Sequence, residues 1–400
     1  MPIEPLSILT LLGTTIVLGY IGLLIFEKTK IPDAVWLLLF GLIVGPLLGL
    51  VERSIFIAAS PLLGAIALLI ILFDAGLNMD FYRIIREIPR SLLLTVLGVV
   101  FSTVSISLIS FFILKMDFMS SFILGVIVCG TSSAAVVSLI NPLKINESAK
   151  MILELESIFT DPIVIVVGVT LMEAAISTIP LTNLANTLVS AYSVAIVVGS
   201  IAGILWLIVL DRIRRREFDY ILTLAVTFLL YVGTEMIGGS GSIAILVCGI
   251  VLGNGVIFSK FLKFRKKYKI KFIFKRFQKE IAFFIRSFFF VYLGLIATVN
   301  FTSLLYGMLI TAVIILVRFL TVQISTYKMG LNDMEMNVMR IMTPRGLAAA
   351  ILAQMMLASN IPGAEEILNI TFVVILLTTL FTTISIKALY KPSKTQDRKV

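Results

Sequence analysis

The chain has 400 residues, of which 59% are hydrophobic and only 14% charged, with a formal charge of +10; its mean hydropathy is +1.09. This composition excludes a soluble globular domain. Recurring apolar stretches of about 20 residues, each enough to cross the hydrocarbon of a bilayer, place the chain in the all-α polytopic membrane class.

The N-terminus, Met1-Pro-Ile-Glu-Pro-Leu, lacks the basic region of a cleavable signal, so the first apolar run is expected to remain as a helix. Hydropathy then predicts thirteen spans, at about 5–26, 32–51, 54–79, 90–113, 117–139, 150–175, 187–210, 219–238, 240–258, 280–298, 302–326, 334–357 and 363–387. Alternating strands separated by turns are absent, which argues against an outer-membrane barrel.

Charge fixes the expected orientation. Of the 33 Lys and Arg residues, Arg286, Arg318 and Arg345 lie inside spans, Arg53 and Lys115 flank one set of connections, and all others flank the alternate set. That asymmetry predicts an external N-terminus and a cytoplasmic C-terminus in the cell membrane. The run Lys260–Lys279, in which ten residues are basic, is then mostly a cytoplasmic connection able to meet anionic lipid headgroups, and no nucleic-acid partner is expected. Cys129 and Cys248 lie in separate apolar helices and read as buried thiols.

Thirteen spans accommodate two inverted six-helix repeats, spans 1–6 and 8–13, joined by span 7. Such repeats are a recurring transporter architecture with substrate held between broken helices. Spans 5 and 12 correspond in this scheme, and each carries a polar interruption: Cys129-Gly-Thr-Ser-Ser133 and Thr343-Pro-Arg-Gly346. Proline removes a backbone donor and glycine relaxes the chain, so both are expected to be discontinuous helices that cross at the midplane.

Span 6 carries Glu154, Glu156 and Asp161. An ionisable group at the membrane centre costs at least about 2.5 kcal/mol on insertion scales, so it marks a functional site. At about 1.5 Å of rise per residue, Asp161 sits near the midplane. The chain has no histidine, which leaves carboxylates as the natural carriers of protons near neutral pH. Thr160, Ser157, Thr131 and Ser132 supply hydroxyls around Asp161, a set suited to a hard monovalent cation and unlike transition-metal sites. Competition of proton and cation for one carboxylate is the simplest exchange these residues support. Depth matching pairs Glu156 with Arg318 and Asp74 with Arg286, and sets Arg345 near Asp161; Glu154, nearer the boundary, is expected to be solvated. With no nucleophile–base pair and no phosphate-binding loop, neither an enzyme nor a resident cofactor is expected.

At these residues the chain resembles the cation/proton antiporter superfamily, and within it the archaeal and bacterial NhaP-like sodium/proton antiporters. The resemblance rests on Glu156-Ser-Ile-Phe-Thr-Asp-Pro162 and Pro344-Arg-Gly-Leu-Ala-Ala-Ala350, supported by Leu72-Phe-Asp-Ala-Gly-Leu-Asn-Met-Asp80 and Phe288-Phe-Phe-Val-Tyr-Leu-Gly-Leu295. It implies a homodimer, a transmembrane domain over 1–390, and a basic tail over 391–400. It also implies a mobile unit of about 90–175 and 302–387 that carries the ion by an elevator-like shift. By resemblance, Asp161 binds ion and proton, Glu156, Ser157 and Thr131 belong to the site, and Arg318 and Arg345 pair with acids. The monovalent cation is expected at Asp161, Ser157 and Thr131.

Two positions depart from the family pattern. Its Asn-Asp pair reads Thr160-Asp161, and its Thr-Asp pair in span 5 reads Thr131-Ser132, which removes a negative charge from the crossover. Sodium/proton exchange is the leading expectation, with lithium as a further substrate and a single aspartate favouring electroneutral exchange. Potassium/proton exchange is the second reading and a passive cation channel the third.

Overall fold

The structure is a computed structural model that describes residues 5–29, 31–50, 53–79, 81–176, 181–212, 219–261, 272–327 and 329–389. The described residues form sixteen α-helices and no strand. They group into thirteen spans because three spans are split. Spans 1–4 are α1 (Pro5–Thr29), α2 (Asp33–Leu42) with a π-helical turn over Ile43–Leu47, α3 (Arg53–Asn78) and α4 (Phe81–Phe112). The π turn contains Pro46, whose missing N–H cannot continue an α-helical ladder.

Span 5 is α5 (Phe118–Ile127) and α6 (Ser133–Ile140); spans 6–8 are α7 (Glu147–Ile176), α8 (Leu181–Arg212) and α9 (Asp219–Met236). Span 9 is α10 (Gly241–Gly253) followed by the short α11 (Gly255–Phe261), and spans 10 and 11 are α12 (Phe272–Ile296) and α13 (Phe301–Ser325). Span 12 is α14 (Asp333–Ile341) and α15 (Leu347–Ala358), and α16 (Ala364–Leu389) is span 13. Six of the described helices are long and apolar enough to cross a membrane alone, while α5, α10 and α15 are shorter apolar pieces.

Capping fixes several starts. Asp117 accepts from the Ser120 N–H at 2.9 Å to open α5, and reciprocal capping boxes at Asn300/Ser303 and Asn332/Glu335 open α13 and α14. The expected basic connection is only partly a connection. Residues 262–271 lie outside the described residues, but from Phe272 the chain is already α12. Its first turns are held by aromatic packing: Phe274 lies edge-on to Phe73 with centroids 6.4 Å apart, and Phe277 meets Tyr220 at 4.5 Å. The basic tail at 391–400 also lies outside the described residues.

The inverted repeat is visible in the packing. α2 crosses α12 where Gly41 meets Gly294, and α3 crosses α10 where Gly76 meets Gly249. A Cβ on Gly41 would lie 2.9 Å from the Gly294 Cα, and one on Gly249 3.1 Å from the Gly76 Cα, so each crossing needs glycine on both sides. Span 2 on span 10 and span 9 on span 3 are the same contact in the two halves. The main core joins helices of spans 4–6 and 11–13 to α2, α3, α10 and α12. A second, smaller apolar cluster of described residues lies within α4, α6, α7, α13, α14 and α16 with their connections, through residues such as Leu94, Val136, Leu153, Val322, Met339 and Ile386.

Candidate functional site

The two breaks cross in direct contact. The Ser132 N–H donates to the Pro344 carbonyl at 2.8 Å. A Cβ on Gly346 would overlap the Ser132 side chain, so this close approach requires glycine there. Unwound backbone inside a membrane protein needs replacement partners, and threonines on the neighbouring continuous helices provide them in the same way twice. The Thr131 N–H donates to Thr160 Oγ1 at 3.3 Å, with the two hydroxyls 3.2 Å apart. The Thr343 N–H donates to Thr382 Oγ1 at 3.3 Å, again with the hydroxyls 3.3 Å apart. Thr131–Thr160 joins spans 5 and 6 as Thr343–Thr382 joins spans 12 and 13. By that correspondence Ser133 matches Arg345, two residues beyond each threonine.

Asp161, on α7, faces the start of α6. Its Oδ2 accepts from Ser133 Oγ at 2.7 Å and more weakly from the Ser133 N–H at 3.4 Å. Ser133 opens α6, so the carboxylate lies at the positive end of an eight-residue half-helix. The other oxygen, Oδ1, accepts no hydrogen bond from the described residues. Asp161 lines a cavity of about 660 Å³ whose wall also includes Ser132, Ser133, Glu154, Arg345, Asp33 and Asp74. The cavity reaches the ends of α3, α6 and α12 that the charge asymmetry assigns to the cytoplasm, through Asn78, Asn141 and Lys279.

Helical periodicity gives α7 two polar faces. Glu154 is seven residues before Asp161, close to two full turns, and shares the cavity face. Glu156 is five residues before it, roughly 140° around the helix, and turns into the protein. There Arg318 Nη2 donates to Glu156 Oε2 at 2.8 Å and Nη1 donates to Oε1, both side chains being almost fully buried. Arg318 Nε donates to the Met339 carbonyl at 3.0 Å, so one guanidinium binds α7, α13 and α14 together.

Arg345 has no such arrangement. It is 4% exposed and its N–H donates to Thr378 Oγ1 at 3.1 Å, but its Nε and Nη1 are buried without a hydrogen-bond partner among the described residues.

A family model described as "Sodium/hydrogen exchanger, transmembrane" matches residues 13–391. The chain belongs to that family. Similar exchangers include Na(+)/H(+) antiporter 1 of Methanocaldococcus jannaschii, 27% identical over 295 residues, covering 71% of this chain and 67% of the relative. K(+)/H(+) antiporter NhaP of Alkalimonas amylolytica is 25% identical over 381 residues, covering 92% of this chain and 64% of the relative. The fold matches the structure of the sodium proton antiporter MjNhaP1 from Methanocaldococcus jannaschii at pH 8, with a TM-score of 0.79 at 24% identity, over 96% of this chain and all of that one.

Within this exchanger fold the expected site residues divide. Asp161 and Ser132 line the large cavity, whereas Thr131 and Ser157 do not; Ser157 donates to the Glu154 carbonyl of its own helix at 2.9 Å. Thr160 ties the break to α7. Ser133, not Ser132, bonds the aspartate. The Asp74–Arg286 pairing is corrected: Arg286 Nη2 donates to Asp33 Oδ2 at 3.2 Å, while Asp74 Oδ1 accepts from Asn78 at 3.0 Å. Depth alone could not choose between two acids near the same membrane end, and α2 packs directly on α12. Glu154 is a cavity residue, a placement that its seven-residue spacing from Asp161 could have signalled.

Proposed function

We propose that this protein exchanges a monovalent cation, sodium first and lithium with it, for protons across the cell membrane, with cation and proton competing for Asp161. The observation that carries this reading is a midspan carboxylate on the wall of a large cavity, with one oxygen held by Ser133 at a half-helix N-terminus and the other accepting no hydrogen bond from the described residues. Asp161 Oδ1, the Ser132 and Ser133 hydroxyls and water form an all-oxygen environment that suits a hard cation. One ionisable group that either binds a proton or a cation gives one-for-one, electroneutral exchange. The smaller apolar cluster confined to helices of spans 4–6 and 11–13 supports a unit that carries the site between the two membrane faces. The cavity supports a state open to the cytoplasm, with the N-terminus outside and the C-terminus inside. A homodimer embedded in lipid is part of the same proposal.

Potassium/proton exchange is the second reading, favoured by the relative named a K(+)/H(+) antiporter that aligns over 92% of the chain. Proteoliposomes loaded with a pH dye and given sodium, lithium or potassium pulses discriminate. Sodium and lithium should each release the proton gradient, with potassium much weaker; dissipation by potassium alone would replace sodium with the second reading.

A further inference from the structure

The crossing of the breaks carries a positive charge with no assigned counterpart. Among the described residues Arg345 Nε and Nη1 have no partner, and the Thr379 hydroxyl, on a residue 1% exposed that lines the same cavity, has none either. The two acids nearest the crossing in sequence are bonded to other groups, and Glu154, on the wall of the larger cavity, makes no bond to Arg345 among the described residues. Glu156, which shares a small cavity of about 10 Å³ with it, accepts both terminal nitrogens of Arg318. Asp161 is bonded to Ser133. The first turns of α6 and α15 begin at this crossing, next to Ser132 and Gly346, and helix starts leave amide donors unsatisfied within the helix and add partial positive charge.

We propose that Arg345, with Thr379 and the start of α6, forms a site for a small monovalent inorganic anion of the chloride class. Charge decides when it fills. With Asp161 ionised, Glu156, Arg318, Arg345 and Asp161 sum to zero. Once Asp161 is protonated or holds a monovalent cation, these four groups carry one net positive charge at Arg345, while Asp33, Asp74 and Glu154 stand with Lys279 and Arg286 elsewhere on the cavity wall, and a monovalent anion at the guanidinium cancels that local charge. Anion and cation therefore bind cooperatively, each raising the affinity of the other by the same factor. This coupling rests on the exchange reading above; the anion site itself does not.

Two measurements keep these apart. Thermal unfolding of the purified protein is followed at fixed sodium and ionic strength while chloride replaces gluconate. Chloride should raise the midpoint saturably, and Ser132→Asp, which places a fixed carboxylate at the crossing, should abolish that dependence. A midpoint equal in both salts overturns the site, as does a chloride effect that survives unchanged in both Ser132→Asp and Arg345→Gln. In proteoliposomes, removing chloride should weaken the apparent sodium affinity of the wild type about fivefold or more, within the usual range of coupling. A chloride-stabilised protein that shows no cation-driven proton flux would sink the exchange reading and leave the site standing. An unchanged sodium affinity in an active protein would sink the coupling.

Discussion

At the scale of single residues, the charged interior separates into an ion pair that is complete and charges that are not. Arg318 uses Nη1 and Nη2 on Glu156 and Nε on the Met339 carbonyl, so its loss strands a buried carboxylate at a cost of about 3–5 kcal/mol. Arg318→Ala and Glu156→Ala should each lower thermal stability in detergent steeply, and the double variant should lose far less than the sum. Additive losses would show that the two side chains do not couple. Asp161 differs in kind, because Ser133 holds only one of its oxygens. The sequence made Asp161 legible through its depth in an apolar helix. It did not distinguish Ser132 from Ser133, because that choice depends on where α6 begins. It also misassigned Arg286, since depth fixes a position along the membrane normal but not around it, and Asp33 is the neighbour across the α2–α12 crossing.

At the scale of elements, the breaks were readable because glycine, proline and hydroxyl residues interrupt otherwise apolar runs, and only protein-lined segments tolerate such unwinding in a membrane. Their supports were not readable. Thr160 and Thr382 look like ordinary threonines of apolar helices, yet each bonds the freed backbone of a break. Thr382→Val leaves the Thr343 N–H and Ile341 carbonyl without that hydroxyl, and Thr160→Val does the same to Thr131. Leaving a buried polar group unsatisfied costs about 1–3 kcal/mol. Both variants should therefore lose stability by similar amounts, measured by thermal unfolding. A loss in only one of them would contradict equivalent roles in the two halves. The early start of α12 was missed for a related reason: its first turns are basic by composition, and what makes them helical is the burial of Phe274 against Phe73.

At the scale of the whole molecule, thirteen spans and the repeat followed from hydropathy and charge, because the bilayer imposes length and the loops record orientation. The cavity did not, since it depends on how twelve helices of two repeats leave space between them. It brings Asp161 into reach of one membrane face while the crossing of the breaks lies beside it. Exchange by this route requires that one carboxylate alternate between proton and cation. Asp161→Asn keeps the size and a polar contact to Ser133 but cannot make that alternation. The decisive measurement is proton flux in proteoliposomes of Asp161→Asn, set beside wild type reconstituted at the same density and shown to be folded by its thermal midpoint. The account predicts no cation-driven pH change with sodium, lithium or potassium in the variant, and a flux with sodium in the wild type. A variant that dissipates the gradient at the wild-type rate would contradict it.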